Sequence, residues 1–410
     1  MIRYRKLKKI FYRCTYLSLT RHRLWQESFG GMGMKRILPV ILALFFLPMG
    51  AKAVEVNGKS AVLMDVATGT VLFEQNPDER LAPASVTKVM TMLLIMEAVD
   101  DGRIMLTDTV TASETAAAKG GSQVYLKAGE TMTVEEMLKS IAVSSANDCA
   151  CAMAEHIAGS EGAFVEKMNA KARELGMKNT HFVNCTGLDD GAEAAEHRTS
   201  ARDIALMSRE LLKNHPKIKQ FTTIWMDTIR GGTFGLSNTN QLVRFYPGAT
   251  GLKTGFTSGA GYCLSATADR EGMELIAVVM GAETSAKRNE SCKQLLDYGF
   301  ANYALFSPVL EEVPAVSVTL GTVGRIPLHL GEDGQLLVEK ARRSAITAEL
   351  SAEAQVSAPV AKGQRLGTMT VKDGEKVLKE VPLVAGEDVP RLTYWNLFGR
   401  VLKRTAMAKG

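Results

Sequence analysis

The stretch Leu81-Ala82-Pro83-Ala84-Ser85-Val86-Thr87-Lys88-Val89-Met90-Thr91 decides how the rest of this 410-residue chain is read. Proline fixes its own φ and lacks a backbone donor, so Pro83 suits a helix entry. The apolar run up to Val99 predicts a buried helix beginning at Ser85. Ser85 and Lys88, three residues apart, then share one helix face. A serine hydroxyl is a poor nucleophile until a base takes its proton. A lysine can be that base if burial and nearby cations lower its pKa. The Ser85 backbone N–H, free at a helix start, can stabilise an oxyanion. Alone, S-x-x-K is weak, with about one or two chance matches in a chain this long, and it reads equally as a helix start with a solvated lysine.

Working outward, residues 60–66 and 70–74 are β-rich and flank Ala67-Thr68-Gly69, which predicts a hairpin. Helical patterns follow over 133–157, 161–175 and 200–214. From 250 the pattern changes to three strands, Thr250–Thr254, Tyr262–Ala268 and Leu275–Met280, with a turn at Asp269-Arg270-Glu271-Gly272. A helix from about Lys287 to Ala304 closes the unit. Strands at both ends and helices between predict an α+β domain whose first hairpin returns to pair with the last strands.

Two more groups carry chemistry. Ser145-Ala146-Asn147 places small polar residues between helical stretches, facing a cleft or serving as a capping turn with Asn147 or Asp148 as the cap. Lys253-Thr254-Gly255 lies on the strand that begins the C-terminal hairpin. Lys253 and Thr254 can bind a carboxylate, and Gly255 is expected to let a ligand backbone approach.

In this order and context, S-x-x-K, S-x-N and K-T-G resemble the penicillin-recognising serine enzymes. The run 81–91 is similar to the serine-type D-Ala-D-Ala carboxypeptidases, the low-molecular-mass penicillin-binding proteins. So are Leu175-Gly176-Met177-Lys178-Asn179-Thr180-His181-Phe182, Thr186-Gly187-Leu188 and Thr199-Ser200-Ala201-Arg202-Asp203. The resemblance covers about residues 55–390. It implies a β-lactamase/transpeptidase-like catalytic domain over 54–307, an antiparallel sheet with a helical insert. It implies that Ser85 attacks the carbonyl between the two terminal D-alanines of a peptidoglycan pentapeptide stem and forms an acyl-enzyme. Lys88 would be the general base, Ser145 would pass the proton to the leaving D-alanine, and Asn147 would hold the substrate amide. Lys253 and Thr254 would anchor the terminal carboxylate beside Gly255, with Arg288 near that end of the site. The N–H groups of Ser85 and Phe256 would form the oxyanion hole. β-Lactam antibiotics are the implied covalent inhibitors, and no cofactor or metal is implied. Phe256 departs from relatives that carry a histidine there, and the acidic stretch 189–197 falls in a loop that borders the site in the family.

A β-lactamase would use the same three elements but needs rapid deacylation, usually through a glutamate that activates water. Glu166-Lys167-Met168-Asn169 resembles that motif superficially but falls inside an amphipathic helical pattern. A non-catalytic, anchored β-lactam receptor or wall-binding protein is the other reading.

The flanking segments differ in composition. Met34-Lys35-Arg36, the apolar run Ile37–Leu47 and Ala51-Lys52-Ala53 predict a secretory signal peptide cleaved after Ala53, with residues 1–33 upstream of a start at Met34 or Met32. Residues 1–53 hold eleven Lys/Arg and one acid, Glu27. Of the chain's 49 basic and 44 acidic residues, 38 and 43 therefore remain beyond 53, a net of −5. That sign argues against nucleic-acid binding. Five cysteines remain there (149, 151, 185, 263 and 292), read mostly as small buried apolar groups.

After Pro308–Pro314, short runs at Val316–Leu320, Arg325–Leu330, Gln335–Val338, Gln364–Val371 and Lys376–Val381 predict a small all-β domain over 308–390, a spacer or interaction module. The segment 391–410 has five Lys/Arg and no acid. Its Tyr394, Trp395, Leu397, Phe398, Val401 and Leu402 fall in an arc of about 160° opposite Asn396, Arg400, Lys403 and Arg404. This predicts an interfacial helix on an anionic membrane. The expected location is the outer face of the cytoplasmic membrane, exported and peripheral.

Overall fold

The structure is a computed structural model that describes residues 54–191, 193–308, 315–396 and 398–399. The expected signal peptide, most of the boundary at 308–314, and the tail at 397 and from 400 onward lie outside the described residues.

Strands β1 (Ser60–Asp65) and β2 (Val71–Gln75) form the first hairpin. The Thr68 N–H and hydroxyl both donate to the Asp65 carboxylate and close its turn. Three later strands, β3 (Ala249–Thr257), β4 (Gly261–Arg270) and β5 (Met273–Ala282), complete a sheet of order β2-β1-β5-β4-β3. Every pairing is antiparallel, and β1 docks on β5 with Leu63 opposite Ala277, the expected return of the N-terminal hairpin.

The central strands are apolar along their length because both sheet faces are covered. Alternate residues of a strand point to opposite faces. Ala61, Leu63, Leu275, Ala277 and Val279 pack against Cys292, Leu295 and Leu296 of a C-terminal helix, Ser285–Asn302. Val62, Met64, Ile276, Val278 and Met280 face the larger helical layer. That layer is built around α1 (Lys88–Asp100), with ten of its 13 residues buried, which is why the segment is hydrophobic on every side. Around it lie α2 (Val134–Ser144), α3 (Asn147–Ala158), α4 (Glu161–Glu174) and α5 (Ala201–Asn214), and the C-terminal helix is α6.

Two expectations are corrected. The single helical pattern over 133–157 is two helices, because Ser145 adopts a left-handed φ of 64° and ends α2. Helix α6 stops at Asn302, and Tyr303–Phe306 is a strand paired with Leu336–Glu339. That pair is separate from the second sheet, although Leu336 and Val338 pack with that sheet's core.

The second sheet has six strands: β6 (Ala315–Thr319), β7 (Arg325–Leu330), β8 (Ile346–Ala352), β9 (Gln355–Ser357), β10 (Arg365–Asp373) and β11 (Lys376–Ala385). Its order is β8-β10-β11-β7-β6-β9, antiparallel except for β6–β9. Its core is the alternate set Val316/Val318, Ile326/Leu328, Met369/Val371 and Val381/Leu383.

Candidate active site

Ser85 does not open the α-helix itself. It lies in a 3-10 turn, Ala84–Thr87, and α1 begins at Lys88. Ala84 enters the turn at φ 48°, a conformation rare for a residue with a Cβ. The turn brings Lys88 Nζ to 2.9 Å from Ser85 Oγ and 2.8 Å from the Thr186 carbonyl oxygen, to which it donates. Lys88 is fully buried, and burial lowers its pKa from 10.5 to about 7, opposed in part by Cys185 and Asp148. A neutral amine keeps an N–H for Thr186 and presents its lone pair to the Ser85 hydroxyl. This is the arrangement a lysine base needs.

Ser145 sits at the left-handed end of α2, nearly buried, and its hydroxyl has no hydrogen-bond partner among the described residues. Asn147 begins α3. Its Nδ2 donates to the Gly120 carbonyl at 2.7 Å, and its Oδ1 is buried with no partner among the described residues. That orphan acceptor suits an incoming amide N–H. Neither Asn147 nor Asp148 is a cap: the cap position is Ala146, without a side-chain bond. The Asp148 carboxylate instead accepts the N–H groups of Val124, Leu126 and Cys149 at 3.1, 3.0 and 2.9 Å, tying the preceding loop to α3.

On β3, Lys253 is buried and donates to the Thr254 carbonyl at 2.8 Å. Burial first, then the charges of Lys88 and Arg288, hold its pKa well below the usual lysine value. The Thr254 and Thr239 hydroxyls are 2.7 Å apart, and the Thr239 N–H donates to the Val143 carbonyl, so Thr239 links β3 to the end of α2. Gly255 has a different role from the one expected. A Cβ there would lie 2.7 Å from Pro83 O and 3.1 Å from Ser85 N. The glycine is needed because the chain's own Ser85 turn, not a ligand, presses on it. The Phe256 ring is half exposed and stacks on Tyr262, with centroids 4.3 Å apart.

Arg288, on α6, lies over the same Tyr262 ring at 5.9 Å and donates to Asn289 Oδ1 through Nε and Nη2. It is buried, burial lowers its pKa, and it has no acidic partner among the described residues. The charges of Lys88 and Arg288 thus repel that of Lys253, and Asp148 is the carboxylate among the described residues whose charge acts on Lys88. An anionic ligand would relieve that repulsion.

Glu166 lies on α4, and Asn169 of the same motif clamps the Phe182 backbone through both amide atoms, a structural duty. All five described cysteines are free and buried. Asp189 lines a cavity with Ala84, Leu188 and Thr257, at the edge of the Ser85 turn. Sequence reasoning assigned no role to Thr186, His197 or Thr239. The Thr186-Gly187-Leu188 string was the available signal for the first.

Comparison with known proteins agrees with this geometry. Residues 48–284 match the family described as D-alanyl-D-alanine carboxypeptidase, and residues 311–391 match the penicillin-binding protein 5 C-terminal domain. The chain is 44% identical over 388 residues to the D-alanyl-D-alanine carboxypeptidase DacF of Bacillus subtilis, covering 90% of this chain and 98% of that one. Penicillin-binding protein 5 from Haemophilus influenzae superposes with a TM-score of 0.71 at 32% identity, over 83% of this chain and 100% of that one. Penicillin-binding protein D2 from Listeria monocytogenes, solved in an ampicillin-bound form, superposes with a TM-score of 0.56 at 31% identity, over 61% of this chain and 100% of that one.

Proposed function

Because the chain belongs to the D-alanyl-D-alanine carboxypeptidase family, we propose that Ser85, Lys88, Ser145 and Asn147 are its catalytic residues and that Lys253, Thr254, Gly255, Phe256 and Arg288 form its substrate site. The enzyme removes the terminal D-alanine from peptidoglycan stem peptides, and this activity displaces the β-lactamase and receptor readings. The observation that carries the residue assignment is the 2.9 Å contact between Ser85 Oγ and a fully buried Lys88.

In the proposed reaction, neutral Lys88 takes the Ser85 proton as Oγ attacks the carbonyl carbon between the two D-alanines. The developing oxyanion is met by the N–H groups of Ser85 and Phe256. The terminal carboxylate sits among Lys253, Thr254 and Arg288, and the Asn147 Oδ1 accepts a substrate amide N–H. The proton passes from Lys88 through Ser145 to the leaving amine, and D-alanine departs. Water then attacks the acyl-enzyme, giving its proton to Lys88, and the shortened peptide leaves as Ser85 is reprotonated.

β-Lactams would acylate the same Ser85. A peptide ending in D-Ala-D-Ala tests the reading: the full chain should release D-alanine, and mass spectrometry after penicillin should find a long-lived adduct on Ser85. Ser85→Ala should lose both. Labelling that persists at another serine would overturn the assignment.

The proposed division places catalysis in 54–307, a spacer in 308–390 and a membrane-adsorbing helix in 391–410. The exposure of Tyr394, Trp395 and Phe398 (75, 76 and 50%) supports the last. No helix among the described residues is long and apolar enough to cross a membrane. The proposed attachment is peripheral, on the outer face after export, and rests on the amphipathic pattern of 391–410.

A further inference from the structure

Buried at the back of the Ser85 turn is a hydrogen-bond chain that the reaction above does not use. His197 packs edge-on against Phe182, with ring centroids 5.7 Å apart. Its Nδ1 accepts the Val183 backbone N–H at 3.1 Å, so that nitrogen carries no proton. The neutral ring therefore bears its proton on Nε2, 2.8 Å from the Thr87 hydroxyl oxygen. Thr87 in turn donates its own proton to the Ala84 carbonyl at 2.8 Å. The direction is fixed throughout: Val183 N–H to His197, His197 N–H to Thr87, Thr87 O–H to Ala84 C=O.

The Ala84 carbonyl and the Ser85 N–H are opposite ends of one planar peptide unit. Whatever fixes where that oxygen points also fixes where the N–H points. Two elements hold the oxygen. One is Thr87, and the other is Gly187, where a Cβ would come within 1.9 Å of it. They hold it against the left-handed φ of Ala84, which the backbone would not keep unaided. Donation to the carbonyl also polarises the peptide and strengthens its N–H as a donor.

We propose that His197 is a positioning residue for acylation, which acts through Thr87 to fix the plane of the Ala84–Ser85 peptide and so aims the Ser85 N–H at the oxyanion. The proposal rests on the reading of Ser85 as nucleophile. The groups facing the imidazole support a neutral ring: burial, then His181, Arg198 and Lys88, lower its pKa to about 4. Protonation would also set a second N–H against the Val183 N–H.

The variants are Thr87→Val, which keeps the shape and removes the hydroxyl, and His197→Asn, which keeps an acceptor near Val183 and removes the donor to Thr87. Each is assayed in the full chain for hydrolysis of a D-Ala-D-Ala peptide and for binding of a peptide boronic acid, which places a tetrahedral oxygen where the oxyanion forms. The expected result is a loss of about 10- to 100-fold in kcat and in boronate affinity, with KM changed less than about threefold, since the N–H matters most when charge develops. The double variant should be no worse than the poorer single, because both break one chain. Unchanged kcat in Thr87→Val, losses that multiply in the double variant, or a loss confined to KM would each overturn the proposal. If His197→Asn does not fold, Thr87→Val decides alone on its kcat and boronate affinity. Ser85→Ala is the control. If it keeps activity, the nucleophile assignment has failed, whereas an inactive Ser85→Ala beside a fully active Thr87→Val means that only the positioning role has failed.

Discussion

Lys88 couples the chemistry of the site to the stability of the fold through one proton. Its pKa is about 7 when folded and near 10.5 when unfolded, because burial penalises the charged amine. Only the neutral amine can take the Ser85 proton, so acylation by a penicillin should rise about tenfold per pH unit below 7 and level off above it. A rate independent of pH from 5 to 9 would contradict a lysine base. Lys88→Arg should be nearly inactive, since a guanidinium does not deprotonate in this range. The same shift acts on folding. Between pH 7 and 10.5 the unfolded chain holds a proton that the folded chain lacks, so stability from this group rises with pH. Below 7 both states are protonated and the cost of burying the charge is present in full. Lys88→Met should therefore remove a pH dependence: its stability relative to the parent should be greatest at or below pH 7 and decline toward pH 10.5. Denaturant titrations at three pH values measure that trend, and a constant difference would refute it.

The site is assembled where the Ser85 turn is wedged between β3 and the 186–188 segment, and two glycines make the wedge possible. Gly187 stands at φ 81° against the Ala84 carbonyl, and Gly255 stands against Pro83 and Ser85. Alanine at either position should destabilise by about 2–4 kcal/mol and slow labelling of Ser85. Gly102→Ala, with a similar φ of 71° but open space around it, should cost only its backbone strain and leave labelling intact. Thermal melts with fluorescent-penicillin labelling separate these outcomes, and equal labelling in all three variants would mean that the wedge does not position Ser85. The same contacts explain what the sequence could reveal. The hairpin 60–75, α1, and strands β3 to β5 were legible because apolar runs and turn residues are local signals. The 3-10 turn and the left-handed Ser145 were not, because positive φ at residues with a Cβ is imposed by distant neighbours. Thr186 meets Lys88 across 98 residues and His197 meets Thr87 across 110, separations at which no spacing rule operates. Strand β8 differs again: Ile346-Thr347-Ala348-Glu349-Leu350-Ser351-Ala352 alternates apolar and polar residues, yet all but the first are exposed, so its pattern marks no buried face.

At the scale of the whole molecule, charge and apolar area are divided between parts. Of the net −5 beyond residue 53, the segment 391–410 contributes +5, leaving about −10 on residues 54–390. That body should be repelled by an anionic leaflet. Beyond residue 53, the tail combines the opposite sign with aromatics that are exposed among the described residues, Tyr394, Trp395 and Phe398. Deleting 391–410 should therefore give a protein that stays in solution and still releases D-alanine from soluble peptides, since every proposed catalytic residue precedes 300. Trp395→Ser with Phe398→Ser should weaken vesicle binding at all salt concentrations, because the loss is buried apolar area. Arg400, Lys403 and Arg404 changed to Gln should weaken it mainly at low salt and on anionic vesicles, because Coulomb attraction is screened within about 8 Å at physiological ionic strength. Co-sedimentation with anionic and neutral vesicles, each at low and high salt, separates the two contributions. If the truncated enzyme pellets with anionic vesicles as well as the full chain does, the attachment lies elsewhere, and the second sheet with its exposed Leu320, Val323 and Leu350 becomes the surface to test.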